Sequence, residues 1–109
     1  MHFYNFMNKK GKSPLSGFTF KEVHLDNLMM TWVEMEPGSI LPEHSHDNEQ
    51  ISLVVEGALE LTVDGATTVM TRGDVAVIPS RVPHSGRVLD LHTVAVDAWN
   101  PIRRDYCAE

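Results

Sequence analysis

The stretch "ALELTVDGATTVMT", residues 58 to 71, narrows what this chain can fold into. Leu59, Leu61 and Val63 alternate with Glu60, Thr62 and Asp64. A period of two lines one face of a strand with apolar side chains and the other with polar ones. Asp64-Gly65 then joins this run to the next. An Asp-Gly pair between alternating runs is the signature of a two-residue type I′ hairpin turn, whose central residues both take positive φ. Similar runs recur at 17–24 ("GFTFKEVH"), 28–35 ("LMMTWVEM"), 50–56 ("QISLVVE"), 73–79 ("GDVAVIP") and 87–99 ("RVLDLHTVAVDAW"), with Gly, Pro, Asp and Asn between them. No long segment has a helical period. Many short strands spaced by turns predict an all-β barrel or sandwich. Residues 28–33 and 50–55 are apolar on both faces, and a strand of that kind needs a cover on each side. A homodimer is the expected cover.

A chain of 109 residues suits one domain. The first sixteen residues are polar and read as a loosely held arm (1–16). The folded domain is expected over 17–106, with its tail, 97–106, near a pocket. The single cysteine, Cys107, excludes an internal disulfide and a cysteine-rich zinc site. The net charge is −6 and the nine basic residues form no stripe, which argues against nucleic acid as a partner. No stretch resembles a signal peptide or a membrane span, so the expected location is cytoplasmic, without a membrane partner.

Chemistry concentrates in "PGSILPEHSHDNEQISLVVEG", residues 37–57. His44 and His46 are two apart, so on a strand both imidazoles face one way, about 7 Å apart at the backbone. A turn at Asp47-Asn48 would bring Gln50 back beside them. Downstream, His84 follows Pro79 and Pro83, and prolines stiffen the loop that would present it. Three imidazole nitrogens and one amide oxygen suit a divalent first-row metal such as Mn, Fe, Co, Ni or Zn. A bare His-x-His pair is weak evidence by itself, and His2, His24 and His92 have no ligand partner in sequence. Glu43 and Glu49 have the opposite parity and are expected to point away or to hydrogen-bond a ligand imidazole.

The frame around these histidines resembles the cupin superfamily. Its first motif runs Gly, five residues, His-x-His, three or four residues, Glu, six residues, Gly; Gly38, His44, His46 and Gly57 fall in register, with Gln50 at the Glu position. Its second motif is matched at Gly73, Pro79 and His84, with Arg81 in place of a Gly and Val88 in place of an Asn. The resemblance implies a single-domain, RmlC-like jelly-roll barrel with His44, His46, Gln50 and His84 as metal ligands. A Gln in place of Glu leaves the ion's charge uncancelled, which favours Lewis-acid polarisation of an oxygen and weakens retention of the metal.

Residues 36–106, including the tail "VDAWNPIRRDY", are similar to the small KdgF cupins of pectin and alginate breakdown. Members of that family open the ring of 4,5-unsaturated uronate monosaccharides to linear keto-deoxy-uronates. The resemblance implies that Asp97, Trp99 and Arg103 line the substrate pocket. Trp99 replaces a Phe of the family and Asn100 a Ser, which bears on pocket volume. Along 91–99, Leu91, Thr93, Ala95, Asp97 and Trp99 share one strand face. An acid and an aromatic would then sit together over the metal, with Asp97 as general acid and base and Arg103 gripping a substrate carboxylate in bidentate fashion. An acidic, sugar-like small molecule is the partner this reading expects. Two other readings stay open: an iron-dependent dioxygenase, because three-His iron sites exist among cupins, and a non-catalytic small-molecule-binding cupin. Without the resemblance, Asp97 as a strand-end cap, Trp99 as core and Arg103 as a surface ion pair would each suffice.

Overall fold

The computed structural model describes residues 2–107. It consists of ten strands and two short 3-10 turns. The strands are β1 (Lys12–Leu15), β2 (Phe18–His24), β3 (Met29–Met35), β4 (Ile40–His44), β5 (Glu49–Glu56), β6 (Leu59–Val63), β7 (Ala66–Met70), β8 (Val75–Ile78), β9 (His84–Val88) and β10 (Thr93–Asn100). The 3-10 turns are Phe6–Asn8 and Arg104–Tyr106. All pairings are antiparallel and form two sheets, one in the order β1-β2-β3-β10-β5-β8 and one in the order β4-β9-β6-β7. The expected jelly roll is present, as two hydrogen-bonded sheets that do not join into one closed barrel.

Between the sheets lies one core. Phe18, Phe20, Val33, Met35, Val54 and Ala95 come from the larger sheet, and Leu59, Leu61, Met70 and Val88 from the smaller. Alternation puts them there: β2 and β3 bury every second residue. The 58–71 hairpin forms as the sequence predicts. Val63 pairs with Ala66, and Asp64 and Gly65 have φ of +50° and +80°. Gly57 serves the switch between sheets. Its φ is +86°, and a Cβ there would come within 2.6 Å of the His92 carbonyl oxygen.

Two expectations change. The run 87–99 is two strands. The chain crosses from the smaller sheet to the larger between Val88 and Thr93, and Leu91 is exposed instead of sharing the inward face of Ala95, Asp97 and Trp99. Within the stretch read as an arm, Lys12–Leu15 pair with β2; its first residue, Met1, lies outside the described residues. No helix among the described residues is long and apolar enough to cross a membrane.

Candidate metal centre and pocket

Both sheets contribute to the site. In the smaller sheet, β4 and β9 pair so that His44 stands opposite His84. His46 lies beyond the end of β4, in the bend before β5, so the two histidines are not on one strand as expected. The bend turns His46 back toward its neighbours, and the same three rings converge. Ring centroids are 4.2 Å apart for His44 and His84, 4.8 Å for His46 and His84, and 5.6 Å for His44 and His46. In the larger sheet, β5 faces them with Gln50. Its amide oxygen lies 3.1 Å from His46 Nε2.

The main chain orients the imidazoles. The Nδ1 atoms of His44, His46 and His84 meet the carbonyl oxygens of Pro42, Asn48 and Val82 at 2.9, 3.1 and 2.9 Å. Each Nδ1–H donates to its carbonyl, so each Nε2 is left with a lone pair. Glu43 and Glu49 are exposed, in line with the first of the two expectations, and these carbonyls hold the imidazoles instead. Burial lowers the pKa of His46 and of His84, and the charge of Arg103 adds to it. The neutral form is the one that binds metal.

Gln50 is oriented from behind. Its Nε2 donates to Ser52 Oγ at 3.0 Å and to Asp97 Oδ2 at 3.4 Å, which turns Oε1 toward the histidines. Lone pairs therefore face lone pairs. His46 already donates through Nδ1, so its Nε2 has no proton for Gln50 Oε1. The buried His84 Nε2 has no hydrogen-bond partner. A cation among these atoms resolves both conflicts, and the ligand atoms of His44, His46 and His84 lie within 4.8 Å of one another, as metal ligands require. The donor set thus fits a divalent ion.

A pocket opens beside these atoms, lined by His44, Gln50, His84, Asp97, Trp99 and Tyr106 above the apolar core. Asp97, paired with Ser52 across β5 and with Thr31 across β3, is buried. Burial raises its pKa to about 6, against the lowering effect of hydrogen bonds with Ser52 and Gln50. Trp99 is only 3% exposed and sets an edge against His46, with ring centroids 5.3 Å apart. Its indole N–H donates to Thr31 Oγ1 at 3.0 Å. It is a fixed wall of the pocket more than an open plate. Arg103 stacks over Trp99 and Tyr106, 5.0 and 4.5 Å from their ring centroids. Its Nε and Nη2 donate to Asp105 at 3.1 and 3.0 Å. The Nε–Nη2 edge is therefore taken by Asp105, whereas Nη1 is buried and unpartnered. Ser52 was missed in the sequence, although it shares the parity of Gln50 on β5.

The family model for the cupin domain matches residues 31–94. The chain belongs to the cupin family. It is 30% identical over 82 residues to the pectin degradation protein KdgF of Dickeya dadantii (strain 3937), covering 74% of each chain. Among solved structures, KdgF from Halomonas sp. superposes with a TM-score of 0.89 at 26% identity, over 96% of this cupin and 97% of that chain. A shorter stretch of 52 residues is 44% identical to quercetin 2,3-dioxygenase of Bacillus subtilis (strain 168), 47% of this chain but 15% of the dioxygenase. The cupin is thus KdgF-like over most of its length.

Proposed function

We propose that this cupin is a metal-dependent, non-redox enzyme that opens the ring of 4,5-unsaturated uronate monosaccharides to linear keto-deoxy-uronates. The observation that carries the reading is a buried carboxyl with a pKa of about 6, Asp97, hydrogen-bonded to the Gln50 that completes a neutral donor set, in a KdgF-like chain. His44, His46, Gln50 and His84 would hold the ion, with Zn, Ni, Mn, Fe and Co all compatible with the donors. When bound, the ion supplies Lewis-acid polarisation of a substrate oxygen.

The reaction is an isomerisation. A proton leaves the anomeric hydroxyl, the bond from the anomeric carbon to the ring oxygen breaks, and the resulting enolate becomes a ketone by gaining a proton at C4. One group near neutral pKa can take the first proton and deliver the second. Asp97 suits that task, because its burial keeps both protonation states accessible near pH 6. Arg103 Nη1 offers a single charged donor for the substrate carboxylate. Trp99 and Tyr106 form the apolar wall a sugar ring can rest on.

The test is the ultraviolet absorbance of unsaturated galacturonate, made with pectin lyase, mixed with the metal-loaded protein. Rapid loss of the double-bond signal is expected, abolished by chelation. Asp97→Asn is expected to lower kcat by roughly 10²–10⁴ while metal stays bound. A metal-loaded protein that leaves both unsaturated galacturonate and unsaturated mannuronate untouched overturns the reading. The stretch shared with quercetin 2,3-dioxygenase favours a second reading, an oxygen-using iron enzyme. Fe(II)-dependent oxygen uptake would decide for it.

A homodimer belongs to the same proposal. Met30, Ala98, Ile51 and Val77 lie side by side across four strands on the outer face of the larger sheet. Val77 is 66% exposed, Val75 55% and Ile51 50%. A second copy would cover this apolar row. Val77→Glu is expected to turn a dimer into a monomer in light scattering, and a monomeric parent at micromolar concentration contradicts the dimer.

A further inference from the structure

His24 was assigned no ligand partner from the sequence, but it has one on its own strand and the fold brings a second. Glu22 and His24 are two apart on β2, and Glu22 Oε2 lies 2.7 Å from His24 Nδ1. The 3-10 turn Arg104–Tyr106 rests on β2, with Tyr106 stacked on Phe20 at 4.4 Å between centroids. This delivers Cys107, whose Sγ lies 3.9 Å from the same His24 Nδ1. Cys107 is gripped from both sides: its N–H donates to Arg104 O at 3.2 Å, and its carbonyl accepts from Lys12 Nζ at 2.7 Å. One ligand atom from each of Glu22, His24 and Cys107 lies within 4.8 Å of the others. Glu22 is buried and His24 exposed, so the cluster has a fixed base and an open mouth.

We propose that Glu22, His24 and Cys107 form a second divalent-metal site, of the zinc class, separate from the histidine centre. Zinc takes thiolate sulfur at about 2.3 Å and imidazole nitrogen or carboxylate oxygen at about 2.0–2.2 Å, and one ion at those distances spans the separations seen, with small movements of the exposed side chains. His24 stands opposite Met29 on β3, Met29 opposite Trp99 on β10 and Trp99 opposite Gln50 on β5, so three strand spacings, about 14 Å, separate the two sites at the backbone. Their chemistry differs. The histidine centre has four neutral donors, whereas this one has two anions that cancel the ion's charge. A thiolate also favours zinc and cobalt over magnesium and manganese. On binding, the thiol proton goes to solvent and His24 carries its N–H on Nε2. The hydrogen bond from His24 Nδ1 to Glu22 gives way to two bonds to the ion. Occupancy would fasten the tail that carries Arg103 and Tyr106 onto β2.

Cys107 is the only cysteine in the chain, so thiolate coordination can come from nowhere else. The purified full-length protein, freed of metal, would be titrated with Co(II). A near-ultraviolet sulfur-to-cobalt charge-transfer band is expected in the parent, absent in Cys107→Ser. In His24→Ala and Glu22→Gln the cobalt concentration at its midpoint should rise by about tenfold or more. His44→Ala should remove the visible bands of the histidine centre and leave the sulfur band, so failure of one site is distinguishable from failure of the other. Absence of the band in a cobalt-loaded parent overturns the proposal. A band whose midpoint is unchanged in both His24→Ala and Glu22→Gln also overturns it, because it would mark the thiolate binding alone.

Discussion

Gln50 links the two halves of the site: its oxygen faces the histidines and its nitrogen bonds Ser52 and Asp97. Gln50→Glu would set a second carboxyl beside Asp97. Metal retention against a chelator is expected to tighten, because the new charge cancels part of the ion's, while ring opening slows. The pH dependence of the metal-free protein follows from the same neighbours. Asp97 has a folded pKa of about 6 against 3.8, so between those values the folded state binds more protons and its stability falls as pH rises, by roughly 3 kcal/mol once ionisation is complete. His46 and His84 act in the opposite sense. Their lowered pKa values mean that the unfolded state binds more protons below pH 6.5, so stability rises with pH there. In Asp97→Asn the opposing fall is removed and the histidine trend remains, so thermal melts of the metal-free variant should gain stability more steeply between pH 4 and 6.5 than the parent. The four candidate ligands were legible because His-x-His, Gln50 and His84 stand at motif spacing. The Gln50–Asp97 bond was not, because it depends on the register of β5 against β10, which joins residues 47 apart.

At the scale of elements, strands were legible and their ends were not. Apolar alternation runs on through 87–99 because β9 and β10 bury side chains in the same core, and periodicity carries no mark of the change of sheet. The extent of β4 was not legible, because Leu41, Pro42, Glu43 and His44 do not alternate, and the strand stops at His44, short of His46. One turn carries a visible cost. Arg81 stands where the resembled motif has Gly, and its φ is +66°. Its N–H donates to the His46 carbonyl at 2.7 Å, a contact any residue can make, while its ion pair with Asp47, at 3.8 Å, is highly exposed and contributes little. Arg81→Gly is therefore expected to stabilise the protein by about 1 kcal/mol in denaturant titration, with metal binding intact. A second element-scale device ties the metal loop to the tail. Asn48 Nδ2 donates to Pro101 O at 2.6 Å and Ile102 O at 3.3 Å. Asn48→Ala should loosen the tail and raise KM more than it lowers kcat.

For the molecule as a whole, the candidate metal centre is a joint between two sheets, with His44 and His84 on one and Gln50 on the other. An ion that binds only the folded state adds about 2.7 kcal/mol at a free concentration one hundred times its Kd. That should raise Tm by several degrees over the chelated protein in calorimetry, and His84→Ala should erase the difference. Jelly-roll architecture was legible from strand spacing and the two motifs together. How far its two sheets join was not legible, because that depends on whether edge strands meet, and no residue pattern records it.

The carbonyls of Pro42, Asn48 and Val82 have one more consequence. Each lies two residues from the histidine it steers, and each belongs to the peptide chain itself. No codon change removes a carbonyl. Side-chain scanning would find the ligands and pocket walls and pass over the groups that aim the rings. Mutational drift can strip this centre of a ligand or reshape what it admits, but as long as these bends keep their course the imidazoles keep their heading.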